Sequence, residues 1–206
     1  GADNTAIGYQ SLTSTTEGND NTAVGKESLK DNTTGSNNTA LGFQALQNNT
    51  TASNNVAVGY EALDANTTGS NNTAVGALAG DANTTAVNLT AVGLNAAGAN
   101  TEGDNNSAFG KDSLDANTTG SSNVALGAFA LGNNTTASNN TAVGTSALEA
   151  NTTGTDNVAV GAYALDAVTT GSYNTAVGRS ALTTNTGGFN TAIGRNALED
   201  NTSGQE

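Results

Sequence analysis

The 206-residue chain contains no histidine, cysteine, methionine, tryptophan or proline. Without histidine and cysteine, the chain lacks an imidazole base, a thiolate nucleophile and the nitrogen and sulfur ligands of zinc sites. No stretch approaches the ~20 apolar residues of a membrane-spanning helix. We therefore expect that the protein is not an enzyme and uses no cofactor or metal. We also expect that this segment does not insert into a membrane.

Basic residues are also scarce, since 5 face 18 acidic ones and the formal net charge is −13. A chain of this charge repels nucleic acid and anionic membrane surfaces. We therefore expect no nucleic-acid partner. Because a complete translated chain normally starts with methionine, we also expect this chain to be a segment of something longer.

Alanine, threonine, asparagine and glycine supply 127 of the 206 residues, and their order is strongly periodic. A glycine ends a T-A-V-G-like run twelve times, every 17 residues except for a last interval of 16. These marker glycines are Gly8, Gly25, Gly42, Gly59, Gly76, Gly93, Gly110, Gly127, Gly144, Gly161, Gly178 and Gly194. A short fixed period is the signature of a solenoid, in which each unit packs only on its neighbours. We therefore predict one all-β solenoid domain over residues 1–206, with twelve coils numbered here from coil 1 (Gly8) to coil 12 (Gly194).

Aligning the coils on the marker glycine, position 0, reveals nearly constant columns. Position −2 is always Ala, −1 is always large and apolar, and +4 is Leu in ten coils. Position −4 is Asn in eleven coils and +8 is always Thr. The β-branched residues ahead of the glycine predict a short strand, and we expect two strands per coil in stacked parallel sheets. At ~4.8 Å per coil, twelve coils make a rod of roughly 57 Å.

Strand geometry places positions −3 and −1 on one face and Ala −2 on the other. We expect the −1 and +4 side chains to form the interior, and the −4 asparagines and +8 threonines to form ladders along the rod. Two large apolar side chains per coil make a small core, so we also expect a homotrimer or filament. Its seam is predicted along the alanines at −2, which include Ala57, Ala74, Ala91, Ala108, Ala125, Ala142 and Ala159.

The run from Asn55 to Ala62, N-V-A-V-G-x-x-A, resembles the head repeat of trimeric autotransporter adhesins, which has the pattern N-S-V-A-I-G-x-x-S. Val56, Ala57, Val58 and Gly59 match its central letters, and Ser11, Ser28 and Ser113 supply its serine. The longer unit N-T-A-V-G-x-x-A-L-x-x-N-T-T-G also looks like repeats of phage tail fibres and bacterial surface fibres. The resemblance implies a left-handed parallel β-roll that trimerises, an extracellular, cell-surface or virion location, and an adhesive role. Because this unit is about three residues longer than the adhesin coil, a three-strand triangular coil is also open.

Three sets of residues are candidates for contact, ligands or modification. Position +1 varies and carries Tyr9, Phe43 and Tyr60, which we expect to be exposed and to pack on another chain or stack on sugar rings. Acids recur at +5, where we favour a solvated acidic face over a calcium site. Asn-x-Thr triplets such as the one at Asn32 match the glycosylation acceptor, although a ladder or turn role is favoured. The acids at +5 are Asp64, Asp81, Asp115, Glu149, Asp166 and Glu199.

These patterns favour a shaft or head segment of a fibre that mediates surface attachment to a cell-surface glycan or receptor. The alternatives are a passive extracellular filament or spacer and an ice-binding solenoid. Ice binding requires regular threonines on a flat outer face, whereas Thr at −3 shares its face with the apolar −1 column. We therefore expect that threonine to point inward or towards a partner.

Two places depart from the regular pattern. Gly80 and Ala97 replace leucine at +4, and Leu89 replaces asparagine at −4, so we expect a bulge or altered turn between Leu78 and Ala97. The last interval lacks one residue near Gly187, and we expect the turn there to absorb the loss. A one-residue slip within a strand would instead reverse its faces.

Overall fold

A computed structural model describes residues 1–202, and these residues form a parallel β-solenoid. Each coil has one three-residue strand directly ahead of its marker glycine, and the twelve strands make one sheet in sequence order. The strands are β1 (Thr5–Ile7), β2 (Thr22–Val24), β3 (Thr39–Leu41), β4 (Val56–Val58), β5 (Thr73–Val75), β6 (Thr90–Val92), β7 (Ser107–Phe109), β8 (Val124–Leu126), β9 (Thr141–Val143), β10 (Val158–Val160), β11 (Thr175–Val177) and β12 (Thr191–Ile193). The prediction of an all-β parallel solenoid with a 17-residue coil is confirmed.

The prediction of a second strand in each coil is wrong for the described residues, where the rest of the coil consists of turns. Three residues per coil have left-handed backbone angles, as at Asn54 (φ 62°), Glu61 (φ 52°) and Leu63 (φ 52°). Such angles end an extended strand. The turns still pair from coil to coil, since the Leu63 N–H donates to the Ala79 carbonyl at 3.0 Å. Pairing between coils therefore continues through the turns without a second sheet.

The interior is lined by small residues of the strand and by leucines from the opposite side of the coil. Ala57 at −2 and Leu63 at +4 are both fully buried, whereas Leu41 and Ile193 at −1 are 47% and 74% exposed. The prediction for +4 is confirmed, and the prediction that −1 lies inside is wrong. The coil is so narrow that the strand can turn only a methyl group inward, towards the leucine that faces it.

Two ladders of buried asparagine close the remaining side of the interior. At −4, the Asn38 N–H donates to Asn21 Oδ1 at 2.9 Å, which confirms the predicted ladder. At +7, Asn49 Nδ2 donates to Asn32 Oδ1 at 2.8 Å. Both Asn38 and Asn49 also donate to the Ala52 carbonyl. These amides provide hydrogen-bond partners for backbone and side-chain groups that have no access to water.

Threonine hydroxyls at +8 form the second predicted ladder, which is confirmed over most of the rod. The Thr33 hydroxyl donates to the Thr50 carbonyl at 2.9 Å, and the Thr50 hydroxyl donates to the Thr67 carbonyl at 3.0 Å. Each hydroxyl thus adds a side-chain hydrogen bond to a backbone connection between neighbouring coils.

The marker glycine is required by the close approach of neighbouring coils. Gly59 has φ +146°, and a Cβ placed on it would lie 2.3 Å from the Gly76 carbonyl oxygen. No side chain fits at that distance. The column of glycines therefore allows the chain to leave the strand at the spacing that the sheet imposes.

The middle of the rod is regular, so the predicted bulge between Leu78 and Ala97 is wrong. β5, β6 and β7 keep the common register, and Gly80 (φ 58°) and Ala97 (φ 51°) have the angles of the leucines they replace. The space left by Gly80 is filled by Leu89, because a Cβ on Gly80 would lie 3.1 Å from Leu89 Cδ2. Leu94, at +1 of the next coil, does not fill this space, since it is 46% exposed.

The short last interval behaves as predicted. Thr175 pairs with Thr191 and Val177 with Ile193 in the common register. Ala192 is buried, and Ile193 and Val177 both point outward. Asn185 reaches the Gly187 carbonyl two residues on, whereas other +7 asparagines reach three residues on. The turn that contains Gly187 therefore absorbs the missing residue.

Candidate functional site

The outer face of the sheet, defined as the side chains at −3 and −1, is a regular surface that extends over all twelve strands. Its −1 row is apolar in every coil, and its −3 row is Thr, Val or Ser. The most exposed members of the −1 row are Ile7, Leu41, Val75, Phe109, Leu126, Val160, Val177 and Ile193, each at least 36% exposed. Large contiguous apolar surfaces of this kind mark interaction sites in soluble proteins.

The predicted alanine seam does not lie on the surface. Ala57, Ala74, Ala91, Ala108, Ala125, Ala142 and Ala159 are all fully buried inside their own chain. They contribute to the apolar core together with the +4 leucines, so no second chain can pack against them. The prediction of a seam along this column is therefore wrong, and a bulky residue at Ala142 would overpack the interior of the rod.

The sequence-predicted aromatic residues lie on one column, in the first four coils. Phe43 and Tyr60 stack with ring centroids 5.4 Å apart and an interplanar angle of 10°. Lys26 Nζ lies 5.2 Å from the Phe43 centroid, in the coil on the other side. Tyr9 is 67% exposed and Tyr60 is 52% exposed. The structure thus brings Phe43 and Tyr60 together, and Tyr9 lies two coils before Phe43.

Other exposed rings were not singled out from the sequence. Phe129 and Tyr163 occupy position +2, and Tyr173 and Phe189 occupy position −5, where they stack at 5.0 Å. The sequence could have indicated Tyr173 and Phe189, because position −5 carries Asn, Asp or Ser in all other coils. Position +2 is more varied and gives a weaker indication for Phe129 and Tyr163. All four have left-handed backbone angles, which are rare for bulky side chains.

The acids at +5 are less solvated than the sequence suggested. Burial raises the pKa of Asp64 to about 6, with further contributions from the nearby Glu61 and Asp81 carboxylates. Burial also raises the pKa values of Asp81, Asp115 and Asp166. Asp64 Oδ1 is buried without a hydrogen-bond partner. Within residues 1–202, no three acidic side chains are arranged to hold a metal ion.

The Asn-x-Thr triplets at position +7 have a structural role. Asn66 is fully buried, and its Nδ2 donates to Asn49 Oδ1 and to the Gly69 carbonyl, both at 3.0 Å. Asn32 is also fully buried and accepts from Asn49. The favoured ladder role is therefore confirmed at these positions.

The fold defines the class of protein as a β-solenoid repeat protein. Along residues 1–202, no helix has the length and apolar character needed to cross a membrane. Comparison with protein-family models, with curated proteins and with solved structures gives no significant match.

Proposed function

We propose that this chain is a segment of an extracellular fibre, carried on a cell or a virion, that mediates surface attachment. Support comes from the uniform coils, which make a rod, and from the exposed apolar outer face along its whole length. The resemblance of its repeat to adhesin heads and tail fibres points in the same direction. In this proposal the rod is a left-handed β-roll, as in the repeats it resembles.

The rod assembles as a homotrimer through the outer face of the sheet. This face replaces the alanine column as the seam, because it is the surface on which each coil presents an apolar side chain to water. Leu41, Phe109 and Leu126 are 47%, 39% and 49% exposed in the single chain. Covering such side chains contributes roughly 25 cal/mol per Å² of apolar surface removed from water.

The test of this assembly is a pair of matched variants measured by light scattering. We expect the unchanged chain to be a trimer at micromolar concentration and the double variant Leu41→Lys/Leu126→Lys to be a monomer. Leu94→Lys is the control, since Leu94 is 46% exposed but lies at +1, outside the outer face. Circular dichroism confirms that each variant retains its fold. A stable, fully folded monomer of the unchanged chain would overturn the trimer.

Whether the rod binds a ligand or acts as a passive spacer depends on the irregular columns. A spacer needs only uniform coils, whereas an adhesin needs a localised patch of side chains. Tyr9, Phe43 and Tyr60 form such a local departure in the first four coils. Binding of the trimer to cells or arrayed glycans, and its loss in a Tyr9→Ala/Tyr60→Ala variant, would separate adhesin from spacer.

Ice binding gains one observation from the structure. The −3 column points outward, so Thr5, Thr22 and Thr39 form an exposed hydroxyl row with one residue per coil. The row is interrupted by Val56, Val124 and Val158. Because it shares the face proposed for trimer contact, one face cannot serve both functions in the same assembly. Ice binding is tested by measuring the thermal hysteresis of the purified chain.

A further inference from the structure

Cations of this rod repeatedly lie over aromatic rings of the adjacent coil. Lys26 Nζ is 5.2 Å from the Phe43 centroid and Lys111 Nζ is 4.7 Å from the Phe129 centroid. Arg179 Cζ is 6.0 Å from the Tyr163 centroid. The spacing of the coils therefore suits a cation on a ring face, an arrangement that is favourable because the ring quadrupole makes the face partially negative.

Among residues 1–202, no cation lies over the ring of Tyr60. Its face towards coil 3 is covered by Phe43, which is itself covered by Lys26 on the far side. Coil 5 lies on the other side, where the Leu78 N–H donates to the Tyr60 carbonyl at 2.9 Å. Its residue at +1 is Ala77, whose methyl group is too small to cover a ring. Tyr60 is accordingly 52% exposed.

The charge around this free ring face is negative. Hydrogen bonding to the Glu61 carboxylate raises the pKa of Tyr60, and the Asp64 charge acts in the same direction. Burial and the charges of Glu61 and Asp81 raise the pKa of Asp64, and no basic side chain among the described residues lowers it. One oxygen of Asp64 is buried and unpartnered. An aromatic face beside the two carboxylates of Glu61 and Asp64 favours a cation over a neutral ligand.

We propose that the free face of Tyr60, above Ala77 and beside Glu61 and Asp64, binds an organic cation. The chemical class is a quaternary ammonium group or the ammonium or guanidinium group of a lysine or arginine side chain from a partner. The inference goes beyond the fibre function, and it holds for any assembly that leaves Tyr60 exposed.

The experiment follows the ring signals of the four tyrosines by NMR during titration of the whole chain. The probes are choline chloride and Nα-acetylarginine methylamide at constant ionic strength. The neutral isostere 3,3-dimethylbutan-1-ol serves as the control ligand. We expect a saturable shift of the Tyr60 signals with at least one cation and none with the alcohol. The cation that binds more tightly indicates the source of the natural ligand.

Variants locate the site. Ala77→Lys should supply the missing cation from within the chain, as Lys26 does for Phe43, and should abolish probe binding. Glu61→Gln should weaken binding about threefold, the range of an exposed charge pair. Tyr163→Leu is the matched control, because Arg179 already lies over that ring, and binding should persist. An absent shift, an equal shift with the alcohol, or full binding by a folded Ala77→Lys variant would each overturn the proposal.

Discussion

At the scale of single residues, Gly80 and Leu89 are coupled exceptions to the repeat. Leucine at +4 and asparagine at −4 are the common residues, and in this place the large apolar side chain has moved from +4 to −4. Leu89 keeps the backbone bond of the column, since its N–H donates to Asn72 Oδ1 at 2.8 Å. Leu89 thereby fills the interior beside Gly80, where a Cβ would lie 3.1 Å from its Cδ2.

This exchange predicts a strong coupling between two substitutions. Gly80→Leu alone forces a side chain into the space of Leu89, and Leu89→Asn alone leaves a cavity beside Gly80. We expect each to lower the free energy of unfolding by about 2–4 kcal/mol. The double variant restores the common pair and should recover most of the loss. Urea unfolding of all four chains measures the coupling, and simple additivity would contradict it.

At the scale of one column, the +7 ladder shows what a single interruption costs. Val168 takes the place of asparagine in coil 10, so no amide from that coil reaches Asn151. Asn151 Oδ1 is consequently buried without a partner, whereas Asn134 Oδ1 accepts from Asn151 Nδ2 at 3.0 Å. An unpaired buried acceptor is unfavourable because it has lost its hydrogen bonds to water and has gained none in the fold.

Val168→Asn should therefore stabilise the rod, which is unusual for a polar residue at a fully buried site. Its amide can donate to Asn151 Oδ1 and to the Gly171 carbonyl, as other members of the column do. We expect the free energy of unfolding to rise by about 1 kcal/mol. The reciprocal variant Asn134→Val should lower it by about 1–3 kcal/mol. Thermal unfolding of both variants measures these two changes in stability. A loss of stability in Val168→Asn would contradict the prediction.

The column scale also shows what could be predicted from sequence. The 17-residue period, the strand before the glycine and the −4 and +8 ladders follow from residue types and spacing. Alternation places Ala57 and Val58 on opposite faces, but it does not say which face is inside. The usual preference for the larger apolar residue gave the wrong answer. Position −2 never varies, whereas −1 ranges from Val58 to Phe109, and a close-packed interior tolerates such variation poorly. The constant side-chain volume at −2 is the feature that identifies the buried face.

The surface sites could be predicted only in part, for a related reason. Tyr60 was identified as exposed from the variability of position +1. Its free ring face depends on Ala77, one full coil away in the chain, and on the order of stacking along the column. The raised pKa of Asp64 likewise depends on how the turn buries the carboxylate. Such relations between coils follow from the stacking geometry, which residue types alone do not give.

At the scale of the whole molecule, partial burial of several acids at +5 makes the stability of the rod depend on pH. The pKa of Asp64 is about 6 in the fold and 3.8 without it, so the folded state binds the proton more tightly. The stabilisation by protonation is complete below pH 3.8 and is lost as pH rises through about 6. The same direction applies to Asp81, Asp115 and Asp166, whose pKa values are also raised.

We therefore expect the rod to be more stable at pH 5 than at pH 7. Asp64→Asn should raise the free energy of unfolding at pH 7 by about 1 kcal/mol, after allowance for solvent at this half-exposed site. Asp112→Asn is the control of opposite sign, because Lys111 lowers the pKa of Asp112. Unfolding at pH 5 and pH 7 tests this, and greater stability of the unchanged chain at pH 7 would contradict it.

The unbroken register from β1 to β12 has a genetic consequence. Apart from the last interval of sixteen, the columns repeat after seventeen residues. The gain or loss of seventeen codons therefore adds or removes one coil and returns each later side chain to its own column. Rod length can therefore change by recombination between repeats in steps of about 4.8 Å without a new fold. A frame-preserving change of another size is accommodated only where the turn can absorb it, as the turn at Gly187 does for one residue. Selection on the reach of the rod can act through the number of copies in the gene.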